Sequence, residues 1–305
     1  MDRLRALRYF AKLAQTLSFS ETADYFRVPS SSVSRRIKDL EADLGAALFV
    51  RTTRSVSLTD LGKLYLDEIA TALQSIEMAD EMLQAQSAAP TGTVRITAMP
   101  GYAELYVFPA LQRLRILYPD IEFDLNITNQ VLSLSNNEAD IAIRASAALP
   151  DQVIARRLCG HTFVLVASPD YIKRNGAPRM SDDLSDCPVF MYRTPSGVLN
   201  WQARKGGIWK VIDLKPKYVS NHGPSLLESV VEGRGLALLP DWGVATEIAD
   251  GRLQKIDLED GRLSTSGDSE FGVYLLYHPP KFRLQKIRVS VDFLVSDLQS
   301  ATGKL

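Results

Sequence analysis

The chain is poor in the residues on which most secreted proteins and metalloenzymes depend. Its two cysteines, Cys159 and Cys187, are too few for a disulfide framework or a cysteine-rich zinc site, and they suit a reducing compartment. Its three histidines, His161, His222 and His278, are widely spaced and share no metal-ligand spacing with a cysteine or a carboxylate, so no metal is expected. There is no Gly-x-Ser-x-Gly elbow and no Walker loop. Gly233-Arg234-Gly235 runs into Leu236-Ala237-Leu238 instead of completing a dinucleotide fingerprint, so no cofactor and no catalytic residue is expected. Asp182-Asp183 after Ser181 reads as the acidic first turn of a helix. No apolar run approaches the ~18 residues that span a bilayer. The N-terminal residues 1–10 carry charge where a signal peptide is apolar, which predicts a cytoplasmic protein with no membrane partner.

What is present is ordinary globular material: 305 residues, 46% hydrophobic and 23% charged, enough for roughly two domains. The net charge of −1 hides an asymmetry. Residues 1–60 hold ten Lys/Arg against seven Asp/Glu, a surplus of +3 that leaves −4 for the rest. A basic end on an acidic body points to a polyanion partner for the first segment alone.

That segment has the periodicity of a helix-turn-helix. Leu4, Leu7, Phe10, Ala11, Ala14 and Leu17 predict a first helix, and Ser20 is placed to cap a short second one through Phe26. Arg27-Val28-Pro29 closes it and opens a third. On that third helix Val33, Ile37, Leu40 and Leu44 form one stripe, so Ser31, Arg35 and Lys38 face the other way, flanked by Ser32 and Ser34. Short hydroxyls and long cations at the front of a recognition helix suit base edges and phosphates. From Leu48 to Thr59, β-branched residues flank a basic tip and predict a hairpin, or wing. Arg51 and Arg54 there suit phosphate or minor-groove contact, unless one of them pairs with a nearby acid.

The runs Leu4-Arg5-Ala6-Leu7-Arg8-Tyr9-Phe10, Ser18-Phe19-Ser20, Val33-Ser34-Arg35-Arg36-Ile37, Leu40-Glu41, Leu44-Gly45, Leu48-Phe49-Val50-Arg51 and Leu58-Thr59-Asp60-Leu61-Gly62 resemble the LysR-type transcriptional regulators. That resemblance implies a ligand-responsive regulator of a double-stranded DNA operator, acting as a homodimer or homotetramer, with RNA polymerase as a partner if it activates. The family often has Ser-Gln where this chain has Pro29-Ser30, so a bidentate glutamine reader of adenine is absent and the operator sequence is not carried over.

Beyond the wing, Thr59 is placed to cap a long helix to about Gln86. Leu66, Ile69, Leu73, Ile76 and Leu83 recur on it at three- and four-residue steps, either as a dimer seam or as one face of a core; the resemblance implies the seam. Residues 87–92 form a hinge. From Thr93, strands and helices alternate as in an α/β fold. Phe163–Ala167 reads as a crossing strand and Phe271–Tyr277 as the strand that crosses back. The body resembles the LysR effector domain, a two-lobed fold similar to periplasmic binding proteins.

The expected architecture is therefore α/β with an all-α N-terminal head. It comprises a winged helix-turn-helix at 1–58, a linker helix at 59–86, a hinge at 87–92 and an effector domain at 93–305. Lobe I of that domain covers about 93–164 and 270–305, and lobe II about 165–269. Ligands of open α/β sheets sit outside the carboxyl ends of strands. That rule selects Met99, Pro100, Gly101, Tyr102, Thr128, Asn129, Arg144 and Ser146 from lobe I and Asn221 from lobe II for a small-molecule effector, with His222 a weaker neighbour. Arg144 serves equally as a partner for an interface acid. A second class of reading is a solute-binding or enzymatic α/β protein whose helical N-terminus only mediates assembly.

Overall fold

A computed structural model describes residues 2–51, 55–84, 89–130, 134 and 138–303. The chain forms two compact units, one built mainly from residues 1–88 and the other from residues 89–134 and 139–305.

The first unit opens with α1 (Arg3–Thr16), whose first turn is capped by the Asp2 carboxylate accepting from Arg5 N at 3.1 Å. Helix α2 (Phe19–Phe26) is capped by Ser18, not Ser20: Ser18 has the extended backbone an N-cap needs, and its Oγ accepts from Glu21 N. Arg27, in the left-handed region at φ 54°, ends α2, and Pro29 leads into α3 (Ser30–Leu44). The wing is the antiparallel pair β1 (Phe49–Arg51) and β2 (Val56–Leu58). Helix α4 (Asp60–Gln84) follows, capped as expected by Thr59, whose Oγ1 accepts from Gly62 N at 2.9 Å. Gly62 is required sterically, because a Cβ there would lie 2.2 Å from the Leu48 carbonyl oxygen. One core serves the whole unit: Phe10, Leu13, Val33, Ile37, Leu40 and Phe49 pack with Ile69 and Leu73 of α4.

The second unit alternates strand and helix. Strand β3 (Gly92–Ala98) leads into α5 (Pro100–Tyr102), which runs through a single π turn at Ala103–Val107 into α6 (Phe108–Leu117). Strands β4 (Ile121–Ile127), β5 (Ile141–Ser146) and β6 (Ile154–Gly160) follow. Then come β7 (Phe163–Ala167), α7 (Pro169–Asn175), β8 (Val189–Thr194), β9 (Gly197–Val198), β10 (Gln202–Lys205), β11 (Ile208–Val211), β12 (Tyr218–Ser220), α8 (Gly223–Val231), β13 (Leu236–Pro240), α9 (Asp241–Ala249), β14 (Gln254–Lys255) and β15 (Leu263–Ser264). Strand β16 (Gly272–Tyr277) and α10 (Gln285–Thr302) end the fold.

Lobe I is the sheet β4-β3-β5-β16-β6, with α5, α6 and α10 supplying its core. Lobe II is the sheet β12-β8-β13-β7-β14, flanked by α8 and α9, with a small sheet β11-β10-β15 beside it. The crossing differs from the sequence reading. Strand β7 pairs only with β13 and β14 and so lies wholly in lobe II, while β16 pairs with β5 and β6 and lies wholly in lobe I. The outward crossing is the short link between β6 and β7, where His161 N donates to Phe271 O at 3.1 Å on the returning segment. Strand β6 escaped the pattern because it is an edge strand carrying exposed Arg156 and Arg157, which breaks the apolar alternation.

A buried ion pair ties lobe I together. Lys281 Nζ lies 2.8 Å from Asp140 Oδ1 and 2.9 Å from Ala139 O, while Arg95 N donates to Asp140 Oδ2. Burial pulls the Lys281 ammonium below its ordinary pKa, and the Asp140 charge opposes that shift. Lys281→Met should destabilise the protein by about 3 kcal/mol or more, because Asp140 is left charged and uncompensated. Adding Asp140→Asn should restore most of the loss. Denaturant unfolding checks both, and an unchanged midpoint for Lys281→Met would show that the pair contributes nothing.

Candidate nucleic-acid interface and interlobe cleft

On α3, burial of Val33, Ile37 and Leu40 in the head core turns Ser31, Arg35 and Lys38 outward, with Ser32 and Ser34 half-buried beside them. The residue that starts this helix, Pro29, offers no side-chain cap. The first-turn amides at the positive end of the helix dipole therefore receive no side-chain acceptor from the cap residue. The outward face is the surface expected from the sequence.

Arg51 is different. Its Nη2 lies 2.6 Å from Glu41 Oε2 and its guanidinium stands 5.2 Å from the Phe19 ring centre. The other Glu41 oxygen accepts from the amides of Leu48 and Phe49 at 2.9 and 3.1 Å. Arg51 is thus a structural partner that fastens the wing to α3, not a free phosphate contact, and Glu41 is the residue that pattern reading missed. Its sequence signal was its place in the Leu40-Glu41 run, where it stands between Asp39 and Asp43 on a helix with as many acids as cations. Arg54 lies outside the described residues.

The stripe on α4 is also corrected. Ile69 and Leu73 are buried in the head's own core and Leu66 packs against it, because α1 lies along this face. Ile76 is exposed, and the side chain of Leu83 lies outside the described residues. Among the described side chains of α4 the large apolar ones left free are Leu61, at 58% exposure, Leu64, at 64%, and Ile76, at 39%, with Ala72 and Ala79 exposed further along the helix.

In the body, Trp242 of α9 leaves lobe II to pack in the lobe I core, edge-on to Tyr102 at 5.1 Å between ring centres. Tyr106 Oη donates to the Trp242 carbonyl at 2.7 Å, and Trp242 Nε1 donates to His161 Nδ1 at 2.9 Å. Burial lowers the His161 pKa to about 4, so at neutral pH the ring is uncharged and its Nδ1 is free to accept. Tyr102 is completely buried in this cluster, and desolvation pushes its phenol pKa up. It is a core residue and does not line the cleft, because the turn that opens α5 rolls its ring onto the sheet. Met99 packs partly on the same core, and Pro100 opens the helix. Gly101 faces Trp242 and Pro224 of lobe II, where an added Cβ would sit at ordinary contact distance, so no steric rule demands glycine.

The remaining cleft residues divide by what they touch. Asn129 bridges the lobes, its Nδ2 donating to Tyr192 Oη at 3.0 Å and to Asn221 O at 3.3 Å. His222 Nε2 meets Glu104 Oε1 at 3.3 Å across the same gap. Tyr192 and Glu104 were not singled out in the sequence, since neither follows a strand of the expected topology. Thr128 Oγ1 accepts from Gln130 N at 3.1 Å, and the Ser146 hydroxyl donates to Ala148 O, so each stabilises its own turn. Arg144 donates to Thr97 Oγ1 at 2.6 Å, Gln130 O at 3.0 Å and Ile143 O at 3.1 Å. Among the described residues no carboxylate forms an ion pair with it, and burial lowers its pKa to about 10, leaving it cationic at neutral pH.

Burial raises the thiol pKa of both Cys159 and Cys187, which disfavours the reactive thiolate. Among the described residues no cluster of His, Cys, Asp and Glu could hold a metal, and no helix is long and apolar enough to cross a membrane.

Glu41→Ala should destabilise the head by about 1–3 kcal/mol, since the Leu48 and Phe49 amides and Arg51 lose their shared acceptor. Thermal unfolding of the variant, with Arg51→Met for comparison, tests this. Equal stability of all three proteins would remove Glu41 from the role of fastener.

Two family models match the chain. Residues 4–63 match the bacterial regulatory helix-turn-helix protein of the lysR family, and residues 87–299 match the LysR substrate binding domain. The transcriptional regulator DmlR of Escherichia coli is 31% identical over 295 residues, covering 95% of this chain and 93% of the relative. The structure of CrgA, a LysR-type regulator from Neisseria meningitidis, superposes with a TM-score of 0.61 at 26% identity, covering 96% of this chain and 98% of the other. A full-length OxyR variant from Pseudomonas aeruginosa shares the fold, with a TM-score of 0.68 at 19% identity over 98% and 96% of the two chains.

Proposed function

The chain belongs to the LysR family of bacterial transcriptional regulators, and from that premise we propose that α3 reads a double-stranded DNA operator through Ser31, Ser32, Ser34, Arg35 and Lys38. The observation that carries this reading is the division of α3 into a buried apolar stripe and an outward face of hydroxyls and cations behind a tight turn. Arg35 suits a bidentate contact with guanine, while Lys38 and the uncapped amides at the start of α3 suit phosphate. Arg51 supports the reading indirectly, through the wing it holds in place, and Arg54 is assigned to backbone contact at the wing tip. A solute-binding or enzymatic protein with an assembly segment has no use for this cationic face.

The effector is a small molecule bound between the lobes, and its chemistry follows from Arg144, a half-buried cation without an acid among the described residues. An anion such as a small carboxylate supplies the missing charge, and Asn129, Thr128 and the loop at Met99, Pro100 and Gly101 supply hydrogen bonds and shape, with Ser146 and Asn221 at the margins. Such a ligand alters transcription only by preferring one of two populated arrangements of lobes or subunits. The protein works as a homodimer or homotetramer in the cytoplasm, touching RNA polymerase if it activates. Leu61 and Leu64 are assigned to the contact between copies, in place of Ile69 and Leu73, which the head core already buries.

Genomic footprinting with and without candidate carboxylic acids identifies operator and effector together. On that operator Arg35→Ala should weaken binding by about 1–3 kcal/mol and relax base preference, whereas Lys38→Ala should weaken binding to all sequences and lower the salt slope by about one unit. Salt titrations that superimpose for wild type and both variants would refute the DNA reading of α3.

Leu64→Glu should dissociate the oligomer while the head stays folded. Leu73→Asp should unfold the head by placing a charge in its core, at a cost of about 3 kcal/mol or more. Sedimentation and thermal unfolding separate the two, and a folded, monomeric Leu73→Asp protein would return the seam to the buried stripe.

A further inference from the structure

The small sheet of lobe II ends on β11, whose outer edge has no partner strand among the described residues. Lys205 pairs with Ile208 across the Gly206-Gly207 turn, Ala203 pairs with Lys210, and Ile212 N donates to Trp201 O at 2.9 Å. Hydrogen-bonded and non-bonded positions alternate in an antiparallel pair, so the backbone groups of Trp209 and Val211 point away from β10 to the free side. The side chains along this edge are apolar, with Ile208 66% and Val211 59% exposed. Tyr218, on the outer strand of the larger lobe II sheet, is 46% exposed.

Lysines stand near them in the sequence. Lys210, Lys215 and Lys217 are exposed and enter no ion pair among the described residues, whereas Arg204 and Lys205 are held by Asp268 and Asp182. Between residues 202 and 218 the only acid is Asp213. A lysine on an edge strand is a common guard against unwanted pairing. Lys210 alone would serve that purpose, but exposed Ile208 and Val211 work against it, and Lys215 and Lys217 lie beyond the strand.

We propose that β11 is a docking edge for an extended segment of a partner protein, one that alternates acidic and β-branched residues and adds to the sheet as a fourth strand. The free amide and carbonyl groups of Trp209 and Val211 supply the ladder. Ile208 and Val211 give up exposed apolar area, and the three lysines meet the partner's carboxylates. A polypeptide fits better than DNA because the edge offers main-chain groups at strand spacing, which a nucleic acid backbone does not match.

The test is fluorescence anisotropy of the full-length protein with a labelled short peptide alternating Val and Glu. Saturable binding is expected, weakened about tenfold by Val211→Pro, which removes an outward amide, and by the combined Lys210→Glu, Lys215→Glu and Lys217→Glu variant. Val211→Glu, which keeps the amide and adds a repelling charge, decides the matter if the proline variant does not fold. Equal affinity for a peptide with Lys in place of Glu, or equal binding by wild type and variants, overturns the proposal. So does an altered sedimentation coefficient in Val211→Glu, which would assign the edge to a second copy. Loss of operator affinity in the lysine variant without peptide binding by the wild type would assign it to DNA.

Discussion

The body depends on one side chain being in the other lobe's core. Trp242 belongs by sequence to α9 of lobe II, yet its indole is buried among lobe I residues and hydrogen-bonds to His161 at the crossover. An aromatic of this size buries a large apolar area and orients its neighbours by ring geometry. It joins the lobes on one side of the cleft, and weaker polar contacts bridge the rest. Asn129 then meets Tyr192, and Glu104 meets His222, because their parent elements are already held in place. The Glu104–His222 contact is exposed and the Asn129–Tyr192 bond only part-buried, so they contribute less to stability than the Trp242 packing, which is what a site that must admit a ligand needs.

The head follows the same logic at smaller scale. A helix can present a cationic face to DNA only if its opposite face is fixed, and the buried stripe of α3 does that. Glu41 extends the arrangement by accepting two wing amides and the Arg51 guanidinium at once. The wing is therefore positioned by a carboxylate that lies on α3 itself, so a change at one alters the other.

Much of this was legible beforehand. The helix-turn-helix, the wing, the Thr59 cap and the α/β body follow from local periodicity, capping chemistry and turn residues, all of which act over a few positions. The misreadings share one cause. Leu66, Ile69 and Leu73 have the spacing of a dimer seam and equally that of a core face, and spacing cannot say which surface covers them. Arg51 at a wing has the same pattern whether it meets phosphate or Glu41, ten positions earlier. Tyr102 follows a strand as a cleft residue should, but the turn into α5 rotates it into the core.

By itself, then, the sequence determined the order and type of the head's elements, the alternating character of the body, the basic head on an acidic body, and the outward face of α3, because each depends on neighbours along the chain. Only the tertiary structure decided which described apolar residues of α4 remain free, that Trp242 joins the lobes, and that Arg144 meets no acid among the described residues. Those outcomes depend on contacts between residues far apart in the chain, and local propensity carries no term for them.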